Sequence, residues 1–435
     1  MDKKTPKVAS VISLGCSKNL VDSEQLLYQL QRAGYRIKHN SDDAEGGVVI
    51  INTCGFIQDA KEESIEIILQ YAEARKRGDI SRLFVMGCLS ERYMEELKVE
   101  IPEVDAYFGK FNWQNILSEL GEVYHEANKN SRILTTPSHY AYIKISEGCN
   151  RDCSFCAIPL ITGRHRSREI EDIAQEISDL TRNGVKEFQL IAQDLSYYGK
   201  DIYKDYQLAK LIETIADIPG VEWLRLHYAY PQHFPYDILP IIRERDNVCK
   251  YLDIALQHCS DGVLQKMHRR IDYSSTLKLI ERLRSEVPGI HLRTTVMVGH
   301  PGETEEDFQA LKQFVQEQKF ERMGAFAYSD EEGTYAHRHY TDDVPQEIKQ
   351  ARLDEIMNIQ QEIAASINRE KIGQVHKVII DREEPDFFIA RTQFDSPEVD
   401  PEVFIDKTQT LRIGEFYRAE IYSAGIYDLY GNIRS

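Results

Sequence analysis

The chain has 435 residues, 42% hydrophobic and 29% charged, which is too long for one ordinary core and predicts two or three domains. Its 53 Lys and Arg against 71 Asp and Glu give a net charge of -18, which argues against a polyanionic partner and for a basic one. No apolar run approaches the roughly 18 residues of a membrane span, and "MDKKTPKVASVISLGC" lacks the long apolar stretch and cleavage site of a signal peptide, so no membrane is expected and the expected compartment is the cytoplasm.

Three apolar runs open the chain, and each reads as a strand that reaches a cysteine: "KVASVISLGC" at Cys16, "VVIINTCG" at Cys54 and "RLFVMGC" at Cys88. The first two runs are separated by a helix from about Glu24 to Gly34, a residue suited to the left-handed C-terminal cap. Between the second and third, Ile65, Ile68, Leu69 and Ala72 fall on one helical face before Gly78. This alternation predicts a parallel, doubly wound sheet. Taken alone, Cys54 reads as core packing, because free cysteine is among the most buried residue types. Its position repeats at Cys16 and Cys88, however, and parallel strands align their carboxyl ends along the edge where open α/β sheets bind ligands. Residues 121–138 are polar and aperiodic, as a linker should be.

From Tyr142 the alternation restarts with "YIKIS", "EFQLIAQ", "WLRLHYAY", "YLDIALQ", "HLRTTVMVG" and "RMGAFAYS". Ile170, Ile173, Ile177 and Leu180 form one intervening helical stripe, and Thr304 with Asp307 resembles a capping box. Six such units predict an incomplete barrel, with its site at the carboxyl ends of the strands. A helix from about Pro345 to Asn368 then leads to short β-branched and aromatic strands that predict a small β-barrel. From Lys371 to Ser435 eight basic residues meet twelve acidic ones, a net charge of -4. The expected class is therefore α/β: a doubly wound parallel sheet, an incomplete (β/α)6 barrel and a C-terminal small β-barrel.

"SEGCNRDCSFCAIPL" places Cys149, Cys153 and Cys156 in a C-x3-C-x2-C pattern directly after the first barrel strand. Three thiols so close and so regular suit a metal rather than a core, and a cytoplasmic protein does not use them as a disulfide framework. Structural zinc takes four closed ligands, and no fourth cysteine or well-spaced histidine follows; His165 reads as a surface or core residue. An iron-sulfur cluster held by three thiolates keeps one iron open to a substrate or cofactor.

The C-x3-C-x-aromatic-C loop, with Phe155 as its aromatic residue, resembles the radical S-adenosylmethionine superfamily. With "SLGCSKNLVDSE", "NTCGFI" and "GCLSERY" before it and the β domain after it, nearly the whole chain resembles the methylthiotransferase family. The resemblance implies an N-terminal domain over residues 7–122, a radical barrel over 135–367 and a TRAM-like domain over 369–435. It implies two 4Fe-4S clusters, an auxiliary one on Cys16, Cys54 and Cys88 and a radical one on Cys149, Cys153 and Cys156, with S-adenosylmethionine on the open iron of the second. In that family one cofactor molecule is cleaved to a 5'-deoxyadenosyl radical that abstracts hydrogen, and another donates the methyl group to cluster-bound sulfur. "LRLHYAYP" and "ALQHCSDGVLQKM" look like the branch that converts an aspartate of ribosomal protein S-twelve to β-methylthioaspartate, on free protein or in the small subunit, with an external electron donor. The acidic TRAM-like segment agrees, since tRNA, the substrate of the other branch, requires positive charge.

Gln193 and Asp194 end the second barrel strand and face the expected site, where they contact the methionine end of the cofactor or else cap a turn. Lys18 and Asn19 line the sulfur site or form a helix-entry loop, and Cys249 and Cys259 read as packing. Thr162 and His300 depart from the family, which has arginine and phenylalanine there. A reading of a different class is a non-catalytic iron-sulfur or zinc protein acting in binding or assembly.

Overall fold

The computed structural model describes residues 7–41 and 46–434; Ser435, the last residue of the expected C-terminal domain, lies outside the described residues. The first sheet contains β1 (Val8–Ser13), β2 (Arg36–His39), β3 (Val48–Thr53), β4 (Arg82–Gly87) and β5 (Ala106–Tyr107), all parallel, in the order β2-β1-β3-β4-β5. Helices cover both faces, so β3 is buried along its whole length and its residues run apolar without alternation. Neither β2, "RIKH", nor the two-residue β5 carries an apolar run, which is why the sequence pattern does not reveal these edges.

The helix α1 (Ser17–Arg32) begins seven residues earlier than its periodicity indicates. Cys16 is extended and its carbonyl accepts from the backbone N–H groups of Asn19 and Leu20, so the helix starts at the cysteine, before the first buried apolar residue, Val21. Then come α2 (Gln58–Arg77), capped as expected by left-handed Gly78, and α3 (Cys88–Glu100). Residues 121–138 form a strap rather than a loose linker. Buried Arg132 pairs with Glu24 of α1 at 2.9 Å and with Glu176 at 3.1 Å, and Thr135 donates to Glu24 from both its backbone N–H and its hydroxyl.

The second unit opens with β6 (Tyr140–Lys144) and a small antiparallel hairpin of β7 (Ser146–Glu147) and β8 (Arg166–Ser167). It continues with β9 (Glu187–Ile191), β10 (Trp223–Ala229), β11 (Val248–Ile254), β12 (His291–Val298) and β13 (Arg322–Ala327). These and β6 make an open, six-stranded parallel sheet in the order β13-β12-β11-β10-β9-β6. The period-2 alternation of the strands sends Ile143, Phe188, Leu190, Leu224, Leu226, Leu252 and Leu292 outward against the helices. The other face carries Tyr142, Gln189, Arg225, His227, Asp253 and Arg293, so the interior of the partial barrel is polar. The stripe from Ile170 to Leu180 and the Thr304–Asp307 capping box form as expected, and the long helix runs Gln346–Glu370. No described helix is long and apolar enough to cross a membrane.

The strands β14 (Val375–Glu383), β15 (Phe387–Thr392), β16 (Val403–Asp406), β17 (Phe416–Ala424) and β18 (Leu429–Ile433) close into a barrel. This barrel docks at the amino ends of the central strands through charge. Arg391 pairs with Glu187 at 2.7 Å and with Asp381 at 2.6 Å, while Asp395 pairs with Arg322 and the Tyr140 and Tyr142 hydroxyls donate to Glu398. The carboxyl ends of the central strands stay free of it.

Candidate functional site

Cys16, Cys54 and Cys88 stand just beyond the carboxyl ends of β1, β3 and β4, which are neighbours in the sheet. Gly15 makes the first approach possible: with φ at +87°, a Cβ there would lie 2.7 Å from Cys54 Cβ and 2.8 Å from its Sγ. Gly87, at φ +101°, does the same for β4, where a Cβ would lie 2.6 Å from the Thr53 carbonyl oxygen.

The Asn-Thr that precedes Cys54 is the lock between these ends. Asn52 donates to the Asn19 carbonyl at 2.8 Å and to Ser23 Oγ at 3.0 Å, and Thr53 Oγ1 donates to the Met86 carbonyl at 2.7 Å. Asn19 in turn donates to the carbonyls of Leu14 and Thr53, and its Oδ1 accepts from Cys88 Sγ at 3.5 Å. Ser64 holds both the N–H and the carbonyl of Cys54. Asn19, Asn52 and Thr53 stand near cysteines in the quoted motifs, whereas Ser64 carries no pattern in the sequence.

Cys54 is buried, Cys88 partly buried and Cys16 exposed. Burial pushes the Cys88 thiol up to about 12 and raises that of Cys54. Surrounding protein atoms oppose ionisation of the Cys16 thiol even though the residue is exposed, but Lys18, Lys110 and the backbone N–H groups of Asn19 and Lys18 outweigh this and lower its pKa.

The second set lies in the hairpin loop between β7 and β8. Gly148, at φ +75°, packs so closely on the Arg164 carbonyl that a Cβ would fall 2.2 Å from its oxygen. Cys149 donates its N–H to the Gly163 carbonyl, and its Sγ accepts from the Arg151 N–H at 3.4 Å. Cys153 Sγ accepts from Arg269 Nη1 at 3.3 Å and lies 3.7 Å from the Tyr230 hydroxyl. The Tyr230 ring has Arg151 and Arg269 each 4.1 Å from its centroid. Burial pushes the Cys149 thiol up to about 12 and raises that of Cys156 as well. Among the described residues no three His, Cys, Asp or Glu side chains converge on a single ion.

Between the two sets lies a buried charge cluster. Lys110 pairs with Asp22 at 2.9 Å and with Glu147 at 3.5 Å, and Lys144 bridges the same two carboxylates. Glu147 is two residues before Cys149 and Asp22 six beyond Cys16, so these ion pairs join the edge of the first sheet to the loop of the second unit.

Gln193 donates to Glu147 at 3.2 Å, while its Oε1 is buried without a partner. Asp194 caps a short turn at the Ser196 N–H and pairs with Arg151 at 2.8 Å. Phe155 packs edge-on to His300, which also meets Ser154 Oγ at 3.3 Å. Thr162 donates to the Ile158 carbonyl within its own short helix, His165 is buried against Ser167, and Cys249 and Cys259 are buried away from both sets.

Three family models match the chain: the Uncharacterized protein family UPF0004 over residues 8–109, the Radical SAM superfamily over 143–315 and the TRAM domain over 372–433. The chain is 61% identical over 428 residues to the ribosomal protein uS12 methylthiotransferase RimO of Bacteroides thetaiotaomicron, with 98% of each chain covered. The protein of the same name from Parabacteroides distasonis is 58% identical over 97% of this chain and 98% of its own. That from Flavobacterium johnsoniae is 51% identical over 97% of each. Among solved structures, the radical S-adenosylmethionine methyltransferase TsrM of Kitasatospora setae superposes with a TM-score of 0.55 at 17% identity, covering 74% of this chain and 73% of that one. The cobalamin-dependent radical enzyme OxsB gives 0.52 at 12% identity over 83% and 56%; both likenesses concern the fold.

Proposed function

We propose, from the premise that this chain belongs to the family of ribosomal protein uS12 methylthiotransferases, that it places a methylthio group on the β-carbon of one aspartate of that protein. The observation that carries this reading is the opposition of two three-cysteine edges across the Lys110–Asp22–Lys144–Glu147 cluster. Membership of the radical superfamily brings a 4Fe-4S cluster and S-adenosylmethionine. In our reading Cys149, Cys153 and Cys156 hold that cluster, and Cys16, Cys54 and Cys88 hold a second. When bound, the two clusters supply the electron that cleaves S-adenosylmethionine and the sulfur that is transferred.

The residues present suit such groups. Arg269, the Tyr230 hydroxyl and the Arg151 N–H offer hydrogen-bond donors to the loop sulfurs, the kind of contact that tunes a cluster's sulfur ligands. Gln193 Oε1 is an unpartnered buried acceptor at a strand end, suited to the ammonium of S-adenosylmethionine. Asp194 fixes Arg151 against Tyr230, and Phe155 and His300 supply an aromatic wall beside the loop. The ion-paired edges keep the two cysteine sets at fixed positions relative to each other, and proximity is a large part of what such a scaffold contributes.

The net charge of -18 suits a basic ribosomal protein, free or assembled, in the cytoplasm, and the C-terminal barrel's net -4 argues against tRNA. An external one-electron donor completes the reaction. The test is mass spectrometry of uS12 and tRNA presented together to anaerobically reconstituted protein with dithionite and S-adenosylmethionine. Methylthio addition to uS12 is expected; addition to tRNA selects that substrate instead, and absence of deoxyadenosine eliminates radical chemistry.

A further inference from the structure

Three lysines, Lys18, Lys110 and Lys144, gather where the first sheet meets the mouth of the partial barrel, but among the described residues only two carboxylates, Asp22 and Glu147, are within ion-pair reach of them. Both carboxylates are taken by Lys110 and Lys144. Among the described residues Lys18 has no ion pair; its ammonium lies 4.0 Å over the Tyr228 ring. Arg151 is committed to Asp194, Arg293 to Asp400, Arg225 to Glu187, and Arg269 to Cys153 and the Ala255 carbonyl, while Arg166 on β8 is exposed with its guanidinium 4.0 Å over the Phe111 ring.

The position of Lys18 is central. It is the second residue of α1, two beyond Cys16, yet its charge acts on His227 and Asp253 in the polar interior of the barrel. Tyr228, on which it rests, holds a left-handed φ of +68° at the end of β10 and is 38% exposed, an unusual state for a large aromatic residue in a strand. Strained, non-glycine backbone of this kind is costly and collects at functional sites. The pair is therefore a cation without an ion partner among the described residues, mounted on an exposed ring at the carboxyl end of β10 and two residues from Cys16.

A substrate carboxylate is repelled by two sites built on thiolates unless a cation meets it. We propose that Lys18, carried on Tyr228, binds the side-chain carboxylate of the substrate aspartate and orients its β-carbon between the two sites. This inference rests on the methylthiotransferase reading above. It also assigns the specificity for an acid over its amide, since a lysine left without its carboxylate remains desolvated and unpaired.

The test measures equilibrium binding of purified uS12, and of uS12 with the target Asp replaced by Asn, to the holoprotein, with iron content determined in every sample. Wild type is expected to prefer the aspartate form by about thirtyfold or more, Lys18→Met to bind both forms alike with unchanged iron, and Lys18→Arg to restore the preference. Retained discrimination in Lys18→Met overturns the assignment, and so does loss of iron from that variant, which would make the lysine part of cluster binding. Turnover is scored by mass spectrometry in parallel. A wild type that yields no methylthio product overturns the activity and this site together, whereas product formation with undiminished discrimination in Lys18→Met overturns the site alone.

Discussion

Cys149, Cys153 and Cys156 come from one eight-residue stretch of loop, whereas Cys16, Cys54 and Cys88 come from three strands spread over the first 88 residues. The loop set is positioned by neighbours in sequence: a glycine against Arg164, one hairpin, and donors to individual sulfurs. The strand set is positioned by sheet order, and its integrity depends on amides and hydroxyls that tie one strand end to another. One site is thus a property of a motif and the other a property of a fold, so different substitutions should break them.

The largest separation is expected at the glycines. Gly15→Val sets a branched side chain on Cys54 at a backbone conformation valine avoids, so about four of about eight irons should be lost. Deoxyadenosine formation with dithionite should persist in that variant. Gly148→Val should lose the other half together with deoxyadenosine. Iron analysis and product chromatography on the two variants read both effects, and if Gly15→Val emptied both sets the distinction between them would collapse.

Asn19→Ala acts on the strand set more gently. It leaves the buried carbonyls of Leu14 and Thr53 without the donor they share, at a cost of about 2–4 kcal/mol. Urea unfolding should show the first transition moved to lower denaturant, with the spectrum of the loop-set cluster unchanged.

This same contrast decides what the sequence discloses. The loop set stands out because its three cysteines, their spacing and the aromatic residue lie in one window, and the strand-end positions of the other three cysteines are legible once the alternation of apolar runs is seen. Asn52, Thr53, Ser64 and Lys110 are not, because each is an ordinary polar residue whose role appears only when distant strands meet. The early start of α1 escapes for a related reason: its first turn is polar and faces the site, so the apolar period begins late. The docking of the C-terminal barrel also runs through single charges, Arg391, Asp395 and Glu398, with no local pattern.

That docking surface supplies a control outside both sets. Burial opposes ionisation of Asp381, but Arg391 and His139 outweigh it and hold its carboxyl at about 2, below the ordinary 3.8. A depressed carboxylate stabilises the fold above its unfolded value and loses that contribution as pH falls through the folded one. Between about pH 4 and pH 2 the docked barrel should therefore lose about 2 kcal/mol. Asp381→Asn should flatten this window in acid unfolding, and it should leave the iron divided between the two sets as in wild type.

The smallest effect expected tests whether the two sites are electronically separate. Arg269 places a cation and an N–H donor on Cys153 Sγ, where either one eases the arrival of an electron at the loop set. Arg269→Met should lower the potential of that cluster by on the order of tens of millivolts. The strand set has no contact with Arg269; its nearest cations are Lys18 and Lys110, so its potential should stay fixed. A redox titration of holoprotein followed by electron paramagnetic resonance resolves the two signals. A shift confined to one signal keeps the motif-built and fold-built sites distinct, whereas an equal shift in both would mean that the charges around the two cysteine sets act on them as one.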